Sequence, residues 1–323
     1  MKRLILISYL ALAACGGEPG AATIEVTSDP VALHVDAPDN LSLGRLTYRG
    51  GLVLTSDDER FGGLSALEVY DDGHVIAVSD SAYWVIGALD FDADGDLTGF
   101  TDVTLAPILS ATGAVLSGTA ADAEGLADLG QGRFAVSFER EHRIAIYEIG
   151  ERGEHAATAL PESAPSPHGI ERLRNNGGIE ALAAVPDGFM AFVEYPIIDG
   201  RPYTIWHMPD GGAAEAHDYH AAAGHGLTGA DMLPDGRIVL LERFWSRDIG
   251  NRVRVALTDE ASLIAGTPPE ILADWGTEAT IDNLEGVAVA MVNGELRLFI
   301  LSDNNYNTEG QRTLLLSFAI EGL

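Results

Sequence analysis

The chain has 323 residues, of which 46% are hydrophobic, so it is long enough to bury a large core. Its 49 acidic and 19 basic side chains give a formal net charge of −30. Such a surface repels nucleic acids and anionic lipid headgroups and attracts cations. We therefore expect no nucleic-acid partner.

The N-terminus has the pattern of a targeting segment. Lys2 and Arg3 precede an apolar run over residues 4–12, which is too short to span a bilayer as a stable helix. The run ends in Leu-Ala-Ala-Cys at residues 12–15, which resembles the bacterial lipobox, and Cys15 is the only cysteine in the chain. We expect residues 1–14 to be a lipoprotein signal peptide, with lipidation at Cys15. A plain secretory signal with an incidental cysteine is the alternative.

Residues 15–23 are rich in glycine and read as a flexible tether. The protein is therefore expected to be exported and lipid-anchored in the bacterial cell envelope, at the periplasmic face or the outer membrane. Contact with the membrane is expected only through the lipid on Cys15. The rest of the chain, residues 24–323, is expected to form one domain and to be a monomer.

Five copies of one hairpin pattern run through this domain. Each copy has two short apolar runs around a turn that contains glycine, as in Pro186-Asp187-Gly188. A polar residue opens the first run, eight residues before the turn glycine in four copies and nine in the fifth. These slot residues, which recur at intervals of 59, 56, 48 and 57 residues, are Ser65, Glu124, Glu180, Thr228 and Glu285. Such periods indicate an array of supersecondary units.

The repeat predicts an all-β fold, a single β-propeller. A third, alternating strand follows most hairpins, a weaker fourth often precedes the next copy, and helical periodicity is scarce. The last repeat ends with the strand at residues 313–320 and lacks its outermost strand. A spare strand at residues 51–55 precedes the first hairpin, so we expect this N-terminal strand to complete the last blade and close the ring.

The propeller geometry places polar residues around the central channel. The first strand of each blade lines the axis, and its start lies on the same face as the end of the second strand. The residues near the ends of the second strands, expected to form an acidic mouth with the slot residues, are Asp80, Glu139, Glu194, Glu242, Asp303 and Asn304. These acids stand six, seven or nine residues after their turn glycines. Because one residue reverses the facing of a strand side chain, only Glu124, Glu180 and Glu285 are firm expectations for the axis.

Crowded carboxylates are hard oxygen ligands that suit Ca²⁺, and the amide oxygens of Asn304 and Asn305 would add to them. Calcium is therefore the expected cofactor, with the three slot glutamates and these strand-end residues as candidate ligands. The alternative is a structural role, in which the acids bind backbone amides of neighbouring blades.

The segment from Asp90 to Asp96 resembles the start of a calcium loop, but Thr101 stands where such a loop needs glutamate, so a hairpin turn is favoured.

Several short segments resemble the phytase-like family, which is described as having esterase-like activity and is related to the β-propeller phytases. They include Phe61-Gly-Gly-Leu-Ser-Ala-Leu, Asp122-Ala-Glu-Gly-Leu-Ala, Asn283-Leu-Glu-Gly-Val and Leu301-Ser-Asp-Asn-Asn-Tyr. The resemblance covers residues 45–320 and implies a propeller, usually of six blades, although the repeat shows five. It also implies hydrolysis of an ester or a phosphate ester with Ca²⁺.

An acidic mouth would repel a polyphosphate unless cations or inward-facing arginines bridge the charges, and Lys2 is the only lysine. The candidate catalytic residues are Glu124, Glu180, Glu285, Arg140 and Arg243. The expected mechanism is attack of a calcium-bound water on the ester, with one of the three glutamates as the base. Three functions remain open: a metal-dependent esterase or phosphoesterase acting on a small molecule, a non-catalytic propeller that binds a ligand or a protein, and a lactonase-like hydrolase.

Overall fold

The structure is a computed structural model that describes residues 20–164 and 166–323. The predicted signal peptide, Cys15 and most of the predicted tether lie outside these residues. The described chain forms 23 β-strands and one short α-helix, α1 (Glu260–Ile264). None of its helices is long and apolar enough to cross a membrane.

The strands follow the predicted repeat. Four precede it: β1 (Ala22–Thr23), β2 (Thr27–Pro30), β3 (Ser42–Leu43) and β4 (Leu46–Thr55). The first blade holds β5 (Leu64–Val69), β6 (His74–Ser79), β7 (Tyr83–Phe91) and β8 (Leu97–Pro107). The second holds β9 (Ala123–Asp128), β10 (Arg133–Phe138), β11 (Arg143–Glu148) and β12 (Glu162–Ser163).

The remaining blades complete the series. The third holds β13 (Ile179–Val185), β14 (Gly188–Val193), β15 (Tyr203–Pro209) and β16 (Glu215–Tyr219). The fourth holds β17 (Gly226–Met232), β18 (Arg237–Ser246), β19 (Gly250–Asp259) and β20 (Glu270–Trp275). The fifth takes from the C-terminus only three strands, β21 (Leu284–Val292), β22 (Glu295–Ser302) and β23 (Thr313–Ile320).

The five sheets are antiparallel, and their innermost strands β5, β9, β13, β17 and β21 contact one another around a ring. The all-β propeller predicted from the repeat is therefore confirmed. Six blades, the number that the family resemblance implied, is wrong for the described residues, which form five. The residues that might have hidden further strands do not form a blade. Residues 24–48 add short edge strands, and residues 106–121 hold the end of β8, one isolated bridge and a single 3-10 turn.

The predicted closure by an N-terminal strand is also confirmed. Strand β4 pairs with β23 in an antiparallel register that aligns Gly51 with Leu316 and Leu52 with Leu315. It begins at Leu46, five residues earlier than the spare strand seen in the sequence, and β2 then pairs on its outer edge. Both faces of this sheet are covered, which explains why β23 is buried along its whole length.

The core lies between neighbouring blades rather than in one central cluster. One layer joins Leu241 and Trp275 of the fourth blade to Leu298 and Phe318 of the fifth. Trp84, in a second layer, packs edge-on against Tyr147 of the next blade with ring centroids 5.6 Å apart. The apolar side chains pack between neighbouring sheets, and polar residues occupy the axial ends of the inner strands.

The Asp90–Asp96 segment contains the end of β7 and the hairpin turn that leads to β8, as favoured from the sequence. The carboxylate of Asp92 accepts hydrogen bonds from the backbone amides of Asp94 and Asp96, both at 2.9 Å. This local bonding stabilises the turn without a cation.

Candidate functional site

Each slot residue lies at a β-bulge in the innermost strand of its blade. In the first blade Leu64 pairs with Ser79 and Ala66 with Val78, so Ser65 is the extra residue, and the same irregularity recurs in the other four blades. A bulge bends the strand and re-aims the side chain it carries. The repeated polar slot of the sequence therefore marks a repeated distortion of the backbone.

The residue after the second strand is fixed by an equivalent hydrogen bond in four blades. The amides of Asp80, Glu139, Glu194 and Asp303 donate to the carbonyls of Gly63, Asp122, Gly178 and Asn283 at 2.7–3.0 Å. In the fourth blade Gly226 pairs with Arg243 at this position. Four acids and one arginine thus occupy equivalent places around the channel.

These elements enclose a cavity of about 220 Å³ at one end of the channel. We call it the acidic cavity. Eight carboxyl groups and two guanidinium groups line it, together with three amides. The carboxyl groups belong to Asp80, Asp122, Glu124, Glu139, Glu180, Glu194, Glu285 and Asp303, the guanidinium groups to Arg140 and Arg243, and the amides to Asn176, Asn283 and Asn305.

The two arginines are held by acids of the cavity. The Nη2 atom of Arg243 lies 3.3 Å from Oε1 of Glu194 and 3.4 Å from Oε1 of Glu285. The Nε atom of Arg140 lies 2.7 Å from Oδ2 of Asp122. Two cations cannot neutralise eight carboxyl groups, so most of the acids have no positive partner within the described residues.

Two overlapping groups of carboxylates are close enough to hold cations. One group is Asp122, Glu124 and Glu139, and the other is Glu139, Glu180 and Glu194. In each group one oxygen from every residue lies within 4.8 Å of the others. Calcium binds oxygen at about 2.3–2.6 Å, so oxygens on opposite sides of one ion are about 5 Å apart. The spacing therefore fits calcium, and Glu139 belongs to both groups.

Burial and mutual repulsion hold protons in the cavity when no cation is present. Burial, and then the charges of Glu180 and Glu285, raise the pKa of Glu124 well above its usual range. Burial raises the pKa of Glu194 and of Glu285 to about 7, although Arg243 opposes the shift in both. The pKa of Asp80 rises to about 6 for the same main reason. These carboxyl groups can exchange protons near neutral pH, or exchange them for a cation.

Comparison with known families decides the affiliation. The sequence matches the family described as "Phytase-like: Esterase-like activity of phytase" over residues 59–306, which is more than half of the chain and contains every residue of the acidic cavity. The chain belongs to the phytase-like family. No curated protein sequence matches it.

Solved structures resemble the phytase-like chain in fold. The catalytic domain of the GH62 α-L-arabinofuranosidase from Coprinopsis cinerea is 14% identical, with a TM-score of 0.50 over 85% of this chain and 97% of that chain. An α-L-arabinofuranosidase from Lactobacillus brevis is 10% identical, with a TM-score of 0.50 over 82% and 95%. A gluconolactonase from Xanthomonas campestris is 12% identical, with a TM-score of 0.41 over 94% and 99%. At these identities the likeness to the two arabinofuranosidases shows the fold alone.

Ten of the residues singled out from the sequence line the acidic cavity of this phytase-like protein. They are Glu124, Glu180, Glu285, Asp80, Glu139, Glu194, Asp303, Asn305, Arg140 and Arg243. The slot residues Ser65 and Thr228 instead donate hydrogen bonds to the carbonyls of Gly63 and Leu284. They lie at the same bulges but have short side chains.

Glu242 and Asn304 were expected at the mouth, and the structure places both elsewhere. The carboxylate of Glu242 points away from the channel, where it accepts hydrogen bonds from Tyr219 Oη at 2.5 Å and from the Ala222 amide at 3.1 Å. The side-chain oxygen of Asn304 accepts from the amides of Gly63 and Tyr306 at 3.0 and 3.1 Å. Asn304 thus joins the fifth blade to the first, which is the structural role proposed as the alternative.

Three cavity residues were not among the candidates from sequence: Asp122, Asn176 and Asn283. A signal for two of them was present, because Asp122 and Asn283 stand two residues before the slot residues Glu124 and Glu285.

Asn305 and Arg140 adopt left-handed backbone conformations with φ of 48° and 54°, which are uncommon outside glycine. Such conformations cluster at functional sites, where the surrounding structure enforces them.

The opposite end of the channel carries acids with a different role. The carboxylate of Glu68 accepts from the Asp128 amide at 2.9 Å, and that of Asp231 accepts from the Val289 amide at 2.7 Å. Each bond joins one inner strand to the next. Here the acids pin neighbouring blades together.

Proposed function

We propose that the protein is a calcium-dependent hydrolase that cleaves an ester or a phosphate ester in the acidic cavity. The observation that carries this proposal is the convergence of eight carboxyl groups on two guanidinium groups in one polar cavity at the channel end. So large an excess of acid is more than a structural role requires. The family description, which names esterase-like activity, supports the same class of reaction.

The two overlapping acid groups are the residues that would hold the metal. When bound, calcium would supply a water of lowered pKa and would polarise the oxygen of the ester. The negative excess of the cavity makes a cation necessary for an anionic substrate, because Arg140 and Arg243 are already paired with acids. A phosphate ester would therefore bind only to the loaded protein.

Glu285 is the residue that we assign as general base. It lies outside both acid groups suited to a cation, and burial raises its pKa to about 7. Asn283 Nδ2 donates to its Oε1 at 2.8 Å, and Arg243 approaches the same oxygen, so the carboxylate is oriented. A base with a pKa near the working pH is the most effective proton acceptor. Arg243 would then stabilise the negative charge that develops on the ester oxygen.

The proposed location of the protein in the cell envelope is inferred from its N-terminal sequence. The signal-like residues 1–14 and the single cysteine Cys15 support export and anchoring by a lipid in the cell envelope. The cavity would then act on small esters outside the cytoplasm, and the net charge of −30 argues against nucleic acid as a partner. Labelling of Cys15 by a radioactive fatty acid in cells, absent in Cys15→Ser, would test the anchor.

The experiment that tests the activity is a panel of simple acyl esters, phosphate monoesters and lactones, run with Ca²⁺ and with chelator. We expect turnover of at least one class, lost in chelator and restored by calcium. Turnover of lactones alone would favour the lactonase-like alternative. No turnover on any substrate, together with no effect of calcium on the melting temperature, would leave only a non-catalytic binding propeller.

A further inference from the structure

A second cleft opens directly beside the acidic cavity. It has a volume of about 530 Å³, and four residues line both spaces, namely Asn176, Glu194, Arg243 and Asn283. A molecule whose ester reaches the acidic cavity would therefore place its remaining part in this cleft.

The outer wall of the cleft is an extension of one hairpin. Arg243 is the last residue of β18 that pairs with β17. The strand continues for three more residues and pairs there only with β19. In this extension Trp245 lies directly opposite Asn251, so the two side chains stand side by side on the same face. Both line the cleft, and Gln311 of the loop between β22 and β23 lines it as well.

Trp245 is exposed in a way that the other tryptophans are not. Its exposure is 61%, whereas Trp84, Trp206 and Trp275 are at most 1% exposed. A large aromatic face that stands in water beside a polar cleft is suited to cover the apolar face of a ligand. Tyr195, at the inner end of the cleft, provides a second ring.

Four of the polar side chains that line the cleft are neutral amides. The side chains of Asn176, Asn251 and Gln311 make no hydrogen bond to any part of the chain that the structure describes. The acids are already engaged, since Asp282 accepts from Arg312 Nε at 3.1 Å and Glu194 pairs with Arg243. The cleft therefore offers free amide donors and acceptors and no unpaired charge for a cationic ligand.

Free amides beside an aromatic face match one class of ligand. Each amide provides donors and an acceptor, as each hydroxyl of a sugar does, and the C–H face of a sugar ring packs on an aromatic side chain. We propose that this cleft binds a neutral sugar ring. Its further role, which rests on the proposed function, is to hold the sugar whose ester is hydrolysed in the acidic cavity. We call it the amide–tryptophan cleft.

Trp245 allows the binding step to be tested without any turnover. Acrylamide, a neutral quencher that the negative surface does not repel, should quench mainly Trp245 because the other tryptophans are buried. Cellobiose, maltose and lactose are added as probes, and at least one should decrease the quenching in a saturable manner. Gln311→Ala, which keeps the reporter, should weaken this protection. Protection by none of the three sugars would count against the cleft.

The catalytic step is tested with paired substrates. Glucose 6-acetate and glucose 6-phosphate are compared with methyl acetate and methyl phosphate. Trp245→Ala should raise KM for the sugar ester about tenfold, equivalent to about 1.4 kcal/mol, and leave KM for the methyl ester unchanged. Trp245→Phe should restore most of the loss. Ile249→Ala, at an exposed position on the same hairpin, is the matched control and should change neither value.

The outcomes separate the two proposals. Calcium-dependent hydrolysis of methyl esters, with no sugar protection and no effect of Trp245→Ala, would overturn the cleft and leave the hydrolase standing. Saturable protection by a sugar, with no ester hydrolysed, would support the cleft as a sugar site and refute the hydrolase.

Discussion

The guanidinium of Arg243 in the fourth blade lies 3.4 Å from the carboxylate of Glu285 in the fifth blade. Arg243 stands where the other four blades carry Asp80, Glu139, Glu194 and Asp303. One exchange of charge thus breaks the symmetry of the ring. In the proposed mechanism the acids around Glu139 would hold cations, and Arg243 would stabilise the charge that develops on the ester oxygen.

Glu139 should control both cation sites because it belongs to both acid groups. We expect Glu139→Gln to weaken calcium binding at both sites by at least about tenfold, since the amide carries no charge. Glu124→Gln should weaken only one site. Calorimetric titration with Ca²⁺ should therefore show two sites in the parent protein and one in Glu124→Gln. Equal losses in the two variants would contradict a shared ligand.

Glu285→Gln should lower kcat by about 10²–10⁴, the usual contribution of a positioned base. The glutamine oxygen can still accept from Asn283 and Arg243, so the melting temperature should change little. Glu68→Gln, a half-buried change on an inner strand at the other end of the channel, is the control and should keep full activity. An active Glu285→Gln enzyme would exclude this residue as the base.

Asp231 should make the stability depend on pH. Burial raises its pKa from 3.8 to about 7 in the folded chain. Between these values the folded state holds a proton that the unfolded state has released, so stability falls as the pH rises. We expect Asp231→Asn to have the same free energy of unfolding as the parent protein at pH 4 and to be more stable by about 2 kcal/mol at pH 8. This difference is smaller than the full pKa shift would give, because the Asp231 side chain is partly exposed. Urea unfolding in chelator at both pH values measures this, and a constant difference between them would refute it.

Gly229 should be intolerant of a side chain. A Cβ at this position would lie 2.6 Å from the backbone oxygen of Glu285 and 3.0 Å from Val287. Gly229→Ala must therefore push the neighbouring inner strand outwards, at a cost of about 1–3 kcal/mol. The displaced strand carries Glu285, so kcat should fall as well. Urea unfolding and the ester assay report the two effects, and an unchanged unfolding midpoint would show that the strands can separate freely.

The fold was predictable from the sequence because its signals are local. The turn in Pro234-Asp235-Gly236 and the apolar runs beside it determine one hairpin, and five similar hairpins determine a ring. The closing strand was predictable because β23 leaves a sheet edge that must be covered. The repeat predicted five blades, which is correct for the described residues, whereas the family resemblance predicted six.

The position of Glu242 was not predictable by counting, and the turns explain why. Glu194 and Glu242 both stand six residues after a turn glycine, which made them look equivalent. However, Gly188 is already part of strand β14 and pairs with Val185, whereas Gly236 lies in the turn before β18. The tighter turn of the third blade shifts the register by one residue, so Glu194 corresponds to Arg243 instead. The bulges at Glu124, Glu180 and Glu285 likewise depend on pairing across strands, which spacing along the chain does not reveal.

The pairing of β4 with β23 also determines the order in which the protein can assemble. About 260 residues separate the two strands, so their contact must wait until almost the whole chain has been synthesised. Until then both edges remain open to other chains, which is the condition under which propeller blades aggregate or exchange strands. A carrier protein that shields β4 would therefore benefit the unfinished chain more than it would benefit the closed ring.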